Sequence, residues 1–120
     1  MNKIFACFFI VVVLVSCVKK NEEELLSDFK YCKDDSISFS QNILPIIHKD
    51  CGTCHNPNTQ SGGVTLHNYS DISFYANNGI LLGVIKHESG FSPMPKNAPK
   101  LIECKISTIE KWIQEGTQNN

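Results

Sequence analysis

Five consecutive residues, Cys51-Gly52-Thr53-Cys54-His55, constrain this chain more than any other feature. Two thiols three positions apart, followed at once by an imidazole, form the pattern to which a c-type haem is attached. On a turn entering a helix, thiols at that spacing reach the two vinyl-derived carbons on one edge of a porphyrin. The adjacent His55 is then directed at the iron as its proximal ligand. Gly52 and Thr53 are small enough for the backbone to pass close to the ring. Other chemistries use the same atoms. A thioredoxin-like dithiol normally follows a strand in a βαβ setting, and no such setting is legible here. Cys51 and Cys54 with two of His48, His55, His67 and His87 could supply four zinc ligands. The pentapeptide also occurs by chance, so it needs context.

Context comes from Ser92-Pro93-Met94-Pro95. Prolines on both sides of Met94 fix φ and suppress helix and sheet, which suits a frame that presents a thioether at one point. Such a thioether can bind iron on the face opposite His55, and methionine with imidazole raises the reduction potential relative to two imidazoles. The alternative is a methionine filling a gap in the core. His48, His67 and His87 are expected at the surface, with His87, close to the methionine loop, the strongest substitute for Met94 as sixth ligand.

The start of the chain is of a different kind. Met1-Asn2-Lys3 is short and basic, and Ile4 to Val15 is almost unbroken apolar sequence ending at Ser16-Cys17. That run is about two-thirds of the roughly 20 residues a bilayer-spanning helix needs, so it reads as a secretion signal over 1–16 rather than a transmembrane anchor. Leu14-Val15-Ser16-Cys17 resembles a bacterial lipobox. The resemblance implies that Cys17 becomes the first mature residue and carries more than one acyl chain, each buried methylene adding about 0.8 kcal/mol of anchoring. Residues 17–30 then form a Lys/Glu-rich flexible tether. The folded domain is expected over 31–117, with a disordered tail at 118–120. Val18-Lys19 lacks the acidic residue of an inner-membrane retention signal, which leans toward the outer membrane, with the domain in the periplasm or at the cell surface.

The stretch from about Phe39 to Gly116 looks like a class I cytochrome c domain of the bacterial type found in small lipoproteins. The likeness is carried by Asn42–Ile47 running into Cys51–His55, by Gly62-Gly63 followed by Leu66, by Met94-Pro95, and by Ile106-x-x-Ile109-x-x-Trp112-Ile113-x-x-Gly116. It implies an all-α fold of three to four short helices around one covalent haem c. Cys51 and Cys54 would form the thioethers, with His55 and Met94 as axial ligands. It also implies redox proteins as partners. The domain is short and the chain has no arginine, which departs from the pattern and leaves only lysine, hydroxyl, indole N–H, backbone N–H or water to meet the propionates.

Periodicity gives the helices. Ser38 or Ser40 can cap one containing Phe39, Ile43, Leu44, Ile46 and Ile47, with Pro45 tolerable only near its first turn. Ser70 is expected to cap a second from Asp71 to Asn77. A third runs from about Gly79 to His87 with Ile80, Leu81, Val84 and Ile85 as its apolar face. The last spans about Leu101 to Glu115, with Ile102, Ile106, Ile109 and Ile113 recurring at helical spacing and Gly116 as the stop. Val64 and Leu66 suit a short extended piece along one haem edge, and Gly62 and Gly63 a close approach to a flat cofactor. Candidate pocket residues are Ile47, Gly63, Leu66, Tyr69, Ile85, Pro95 and Trp112. Tyr69 and Trp112 could reach a propionate, although simple packing serves both at least as well.

With Cys7 in the discarded segment, and Cys17, Cys51 and Cys54 assigned, only Cys32 and Cys104 remain. In an oxidising compartment they are candidates for a disulfide worth roughly 2–4 kcal/mol, two buried free thiols being the alternative. Eleven basic and twelve acidic residues nearly balance, with no basic stripe for nucleic acid. No paired carboxylates or Ser/His/Asp pattern suggests bond-breaking catalysis. The expected function is therefore electron transfer by a membrane-anchored monohaem protein. A haem peroxidase or gas sensor with a labile Met94, or a zinc-stabilised binding module, are the alternatives.

Overall fold

Pro45 decides how the first helix is built. It has no N–H to give to the fourth carbonyl before it, and a regular α-helix through this position would strand that acceptor. The chain answers with a π-helical turn over Phe39–Ile43, in which Ile43 N–H reaches back five residues to the Ser38 carbonyl (3.3 Å). Helix α1, Leu44–Asp50, then starts afresh with the proline in its first turn, where no donor is needed. Ser38 is the cap: its hydroxyl accepts from Gln41 N–H at 3.4 Å, and Asn42 Oδ1 accepts from Ser38 N–H at 2.9 Å.

The computed structural model describes Leu26, residues 29–32 and residues 35–120. Two compact units divide between Lys30 and Tyr31, and the second, Tyr31–Asn120, holds the helices from Phe39 onward and the core. The expected signal segment, Cys7, Cys17 and most of the expected tether lie outside the described residues. Among those residues no helix is long and apolar enough to cross a membrane.

The described fold is all-α, with no strands. After α1 come a 3₁₀ turn at Ser61–Gly63, α2 (Tyr69–Asn77), α3 (Ile80–Lys86) and α4 (Glu103–Gln114). Val64 is extended and, with Leu66, belongs to no sheet. The α2 cap is Asn68, whose side chain accepts from Asp71 N–H at 3.0 Å, so this helix starts two residues before the expected Asp71. Gly79 opens α3 in the left-handed region (φ 79°), as the sequence suggests for a break between two helices this close.

Helix α2 packs on α3, α3 on α4, and α4 on the π-helical turn. The core between them is mostly isoleucine: Ile43, Ile46, Ile47, Ile72, Ile85, Ile106 and Ile109 are essentially inaccessible to solvent. The buried face of α4 centres on Lys105, Ile106, Ile109 and Trp112, leaving Ile102 and Ile113 at its margins. Trp112 is thus part of the buried stripe. Phe39 ties three elements together, edge-on to Tyr69 (5.2 Å) and tilted against Trp112 (5.6 Å).

Of the three residues expected as a disordered tail, Gln118 and Asn120 are hydrogen-bonded to the folded chain. Trp112 Nε1–H donates to the Gln118 carbonyl at 2.9 Å, and Ser40 N–H donates to that of Asn120 at 2.9 Å. Phe39 N–H also donates to Asn120 Oδ1 at 2.8 Å. Cys32 and Cys104 are joined as a disulfide (S–S 2.01 Å), linking the segment before the first helix to the start of α4.

Candidate functional site: an apolar cavity bounded by Cys51–His55 and Met94

Helix α1 ends by running directly into the Cys51–His55 turn. Cys51 N–H donates to the Ile47 carbonyl at 2.9 Å, and the Cys51 carbonyl accepts from Cys54 N–H (3.2 Å) and His55 N–H (3.0 Å). Both cysteines are free thiols, Cys51 partly buried and Cys54 exposed. Gly52 is required for a reason unconnected with a cofactor: a Cβ there would lie 2.4 Å from the backbone oxygen of His48.

Asn56 knits the next turn together, a role that its sequence context did not reveal. Its Nδ2 donates to the carbonyls of Gly52 (2.8 Å) and Thr53 (3.1 Å), and its Oδ1 accepts from Asn58 and Thr59 N–H. The turn is closed by Ser61 N–H to Cys54 O (2.9 Å) and Leu66 N–H to His55 O (2.8 Å). Gly62 (φ 65°) and Gly63 (φ 73°) both occupy the left-handed region, so the pair is explained first by the backbone of this reversal.

These segments bound a cavity of about 470 Å³, within the roughly 300–1,000 Å³ usual for a small-molecule or cofactor pocket. Cys51, Cys54 and His55 contribute to its lining, as do Met94 and Pro95 from the loop after α3. Its apolar walls include Val64, Leu66, Leu81, Val84, Ile85 and Leu101. Polar groups are few: Asp50, Thr53, Ser61 and Lys96 are the hydroxyl-bearing or charged residues apart from Tyr75.

His55 Nδ1 lies 3.3 Å from the Val64 carbonyl. A carbonyl can only accept, so Nδ1–H donates and the lone pair is left on Nε2, the arrangement that orients a histidine ligand. Met94 is held by its backbone, its N–H donating to the Val84 carbonyl at 3.0 Å. Burial, and next the neighbouring Asp50 carboxylate, push the Cys51 thiol up to about 12. That is opposite to the direction a redox-active dithiol needs, since reactivity there comes from a stabilised thiolate. Among the described residues no three His, Cys, Asp or Glu side chains are grouped as a metal site would require.

Of the pocket residues expected from sequence, Leu66, Ile85 and Pro95 line the cavity. Ile47 is instead wholly inside the helical core. Gly63 is one residue beyond the lining glycine, Gly62. Tyr69 and Trp112 are outside the lining: Tyr69 OH donates to the Thr117 carbonyl (2.8 Å) and Trp112 Nε1–H to that of Gln118, so both polar hydrogens are used on the C-terminal backbone. His48, His67 and His87 are exposed and outside the lining. His48 and His67 stack at 5.7 Å, and His87 Nε2 bonds the Met94 carbonyl. Tyr75, Leu81 and Val84 belong to the lining without having been expected there; the last two were legible on the apolar face of the third helix.

No family model matches the chain, and no curated protein or solved structure does either.

Proposed function

We propose that this chain is a lipid-anchored monohaem c-type cytochrome that passes electrons between redox proteins. The observation that carries the reading is that the Cys51–His55 turn and Met94, far apart in sequence, contribute to one apolar cavity of about 470 Å³. The residues fit the group. Two free thiols stand three positions apart on one turn, His55 keeps its Nε2 lone pair, and the cavity also has a thioether in its lining.

When bound, the haem supplies a one-electron ferric/ferrous couple. Cys51 and Cys54 would hold it covalently, and His55 Nε2 and Met94 Sδ would be its axial donors. The aliphatic walls exclude water, which disfavours the more highly charged ferric form and keeps the potential up. If His55 and Met94 both held the iron, the protein itself would supply the ligands on which a substrate would otherwise compete, which favours a carrier over a peroxidase or gas sensor. Anchoring rests on Cys17 and the lipobox-like sequence before it.

The test is a visible spectrum, oxidised and reduced, of protein made in a host that attaches haem c, with a pyridine haemochrome assay and an intact mass. Sharp low-spin α and β bands, one added haem mass, and a far-red ferric band lost in Met94→Ala are expected. A high-spin spectrum in the wild type would move the assignment to a sensor or peroxidase. Zinc without iron would overturn the haem reading.

A further inference from the structure

The methionine loop carries a feature that ligation by itself does not account for. His87 terminates α3 in the left-handed region (φ 56°), a conformation usually left to glycine or asparagine. From there its side chain folds back over the loop, and Nε2 lies 3.0 Å from the Met94 carbonyl. Met94 N–H meanwhile donates at 3.0 Å to the Val84 carbonyl in the last turn of α3, which also accepts from His87 N–H at 3.4 Å. Both backbone polar groups of Met94 are therefore fastened to one helix end. The segment between is fastened too: Glu88 N–H donates to Gly83 O (3.0 Å) and Phe91 N–H to Glu88 O (3.2 Å). The Phe91 ring lies so close over Gly83 that a Cβ at that position would come within 2.6 Å of it.

We propose that His87 is a positioning residue for Met94, clamping the methionine loop to the end of α3 so that the thioether stays at the cavity. This rests on the haem reading above. The loop from Glu88 to Lys100 has no regular structure, and Met94 lies near its middle, between the end of α3 at Lys86 and the start of α4 at Glu103. A weak thioether ligand on such a loop depends on the loop's being held in place before it binds, because each restraint already in place lowers the ordering cost of ligation. The Nε2 contact supplies such a restraint at the ligand residue itself.

The experiment uses the holoprotein as wild type, His87→Gly and His87→Gln. Glycine accepts the positive φ, so the helix end keeps its shape while the imidazole is removed. Glutamine returns a donor at the same reach. Ferric protein is titrated with imidazole, which competes with Met94 for the iron, and loss of the Met94-dependent far-red band is followed. His87→Gly is expected to bind imidazole roughly fivefold more tightly, the worth of one hydrogen bond, and His87→Gln to return toward wild type. Amide exchange at Met94 should quicken in His87→Gly. Unchanged imidazole affinity in His87→Gly, whatever its thermal stability, would overturn the clamp while leaving the haem reading intact. A haem-loaded wild type without a Met94-dependent band would remove methionine ligation and the clamp with it, whereas protein that takes up no haem would remove the haem reading itself.

Discussion

At the scale of single residues, the Cys51–His55 turn is set by a steric fact that involves only protein atoms. A methyl at position 52 would meet the His48 carbonyl oxygen at 2.4 Å, and that oxygen belongs to the backbone of α1, which cannot swing aside. Gly52→Ala should therefore cost about 1–3 kcal/mol, the range for forced overpacking, and reduce covalent haem yield because Cys51 and Cys54 flank the displaced peptide. Thr53→Ala, at an exposed position, should do neither; urea melts and haemochrome yield separate the two. Cys51 gives a pH prediction for the haem-free protein. Its thiol is pushed up to about 12 by burial and by Asp50, so above an ordinary thiol value the unfolded chain has lost a proton that the folded one keeps. Stability should then fall as pH rises from about 9 toward 12, and the fall should shrink in Cys51→Ala. At pH 8 iodoacetamide should label the exposed Cys54 well before Cys51, as peptide mapping would show.

At the scale of elements, the end of α1 is held to α4 by a buried ion pair, Lys105 Nζ to Asp50 Oδ2 at 2.9 Å, with only 4 % of the lysine side chain exposed. Neutralising the acid leaves that ammonium inside the fold, so Asp50→Asn should destabilise by about 3 kcal/mol, whereas the exposed pair Lys100–Glu103 should contribute under about 1 kcal/mol. Thermal melts of Asp50→Asn and Glu103→Gln would check the contrast. The helices themselves were largely legible, because their signals are local. The spacing of Ile106 and Ile109, Gly79 between two helices and Gly116 (φ 90°) after the last all act within a turn or two. What misled was competition between equivalent local signals: Asn68 and Ser70 can both cap α2, and Asn68 takes the role. Lys105 was not legible at all. It sits where a helical wheel places an apolar residue, and only the fold shows that Asp50 is there to receive it.

At the scale of the whole molecule, legibility follows sequence distance. Cys51, Cys54, His55 and Met94 announce themselves through short motifs, and the cavity has all four in its lining. The hydrogen-bond partners of Tyr69 and Trp112 were not legible because their acceptors are backbone carbonyls near residue 118, and a carbonyl has no sequence signature. The Cys32–Cys104 bridge was reachable only by elimination, yet it spans 72 residues and encloses the attachment turn, the cavity walls and the methionine loop. Opening it releases a long stretch of chain to the unfolded ensemble. Cys32→Ser with Cys104→Ser should therefore cost about 2–4 kcal/mol. Because the bridge enters α4 one residue from Lys105, its loss should also loosen the Asp50–Lys105 tie. The haem-free domain buries a modest core and has little stability to spare, so it should suffer most. On the proposed haem reading, two thioethers would restrain the Cys51–His55 turn without closing this larger loop, so in a haem-loaded protein the same variant should lose stability as well but still unfold cooperatively. Urea melts of both forms, each with and without the bridge, would test this. Equal stability of bridged and unbridged haem-free protein would mean that the core, not the cross-link, holds the empty cavity open.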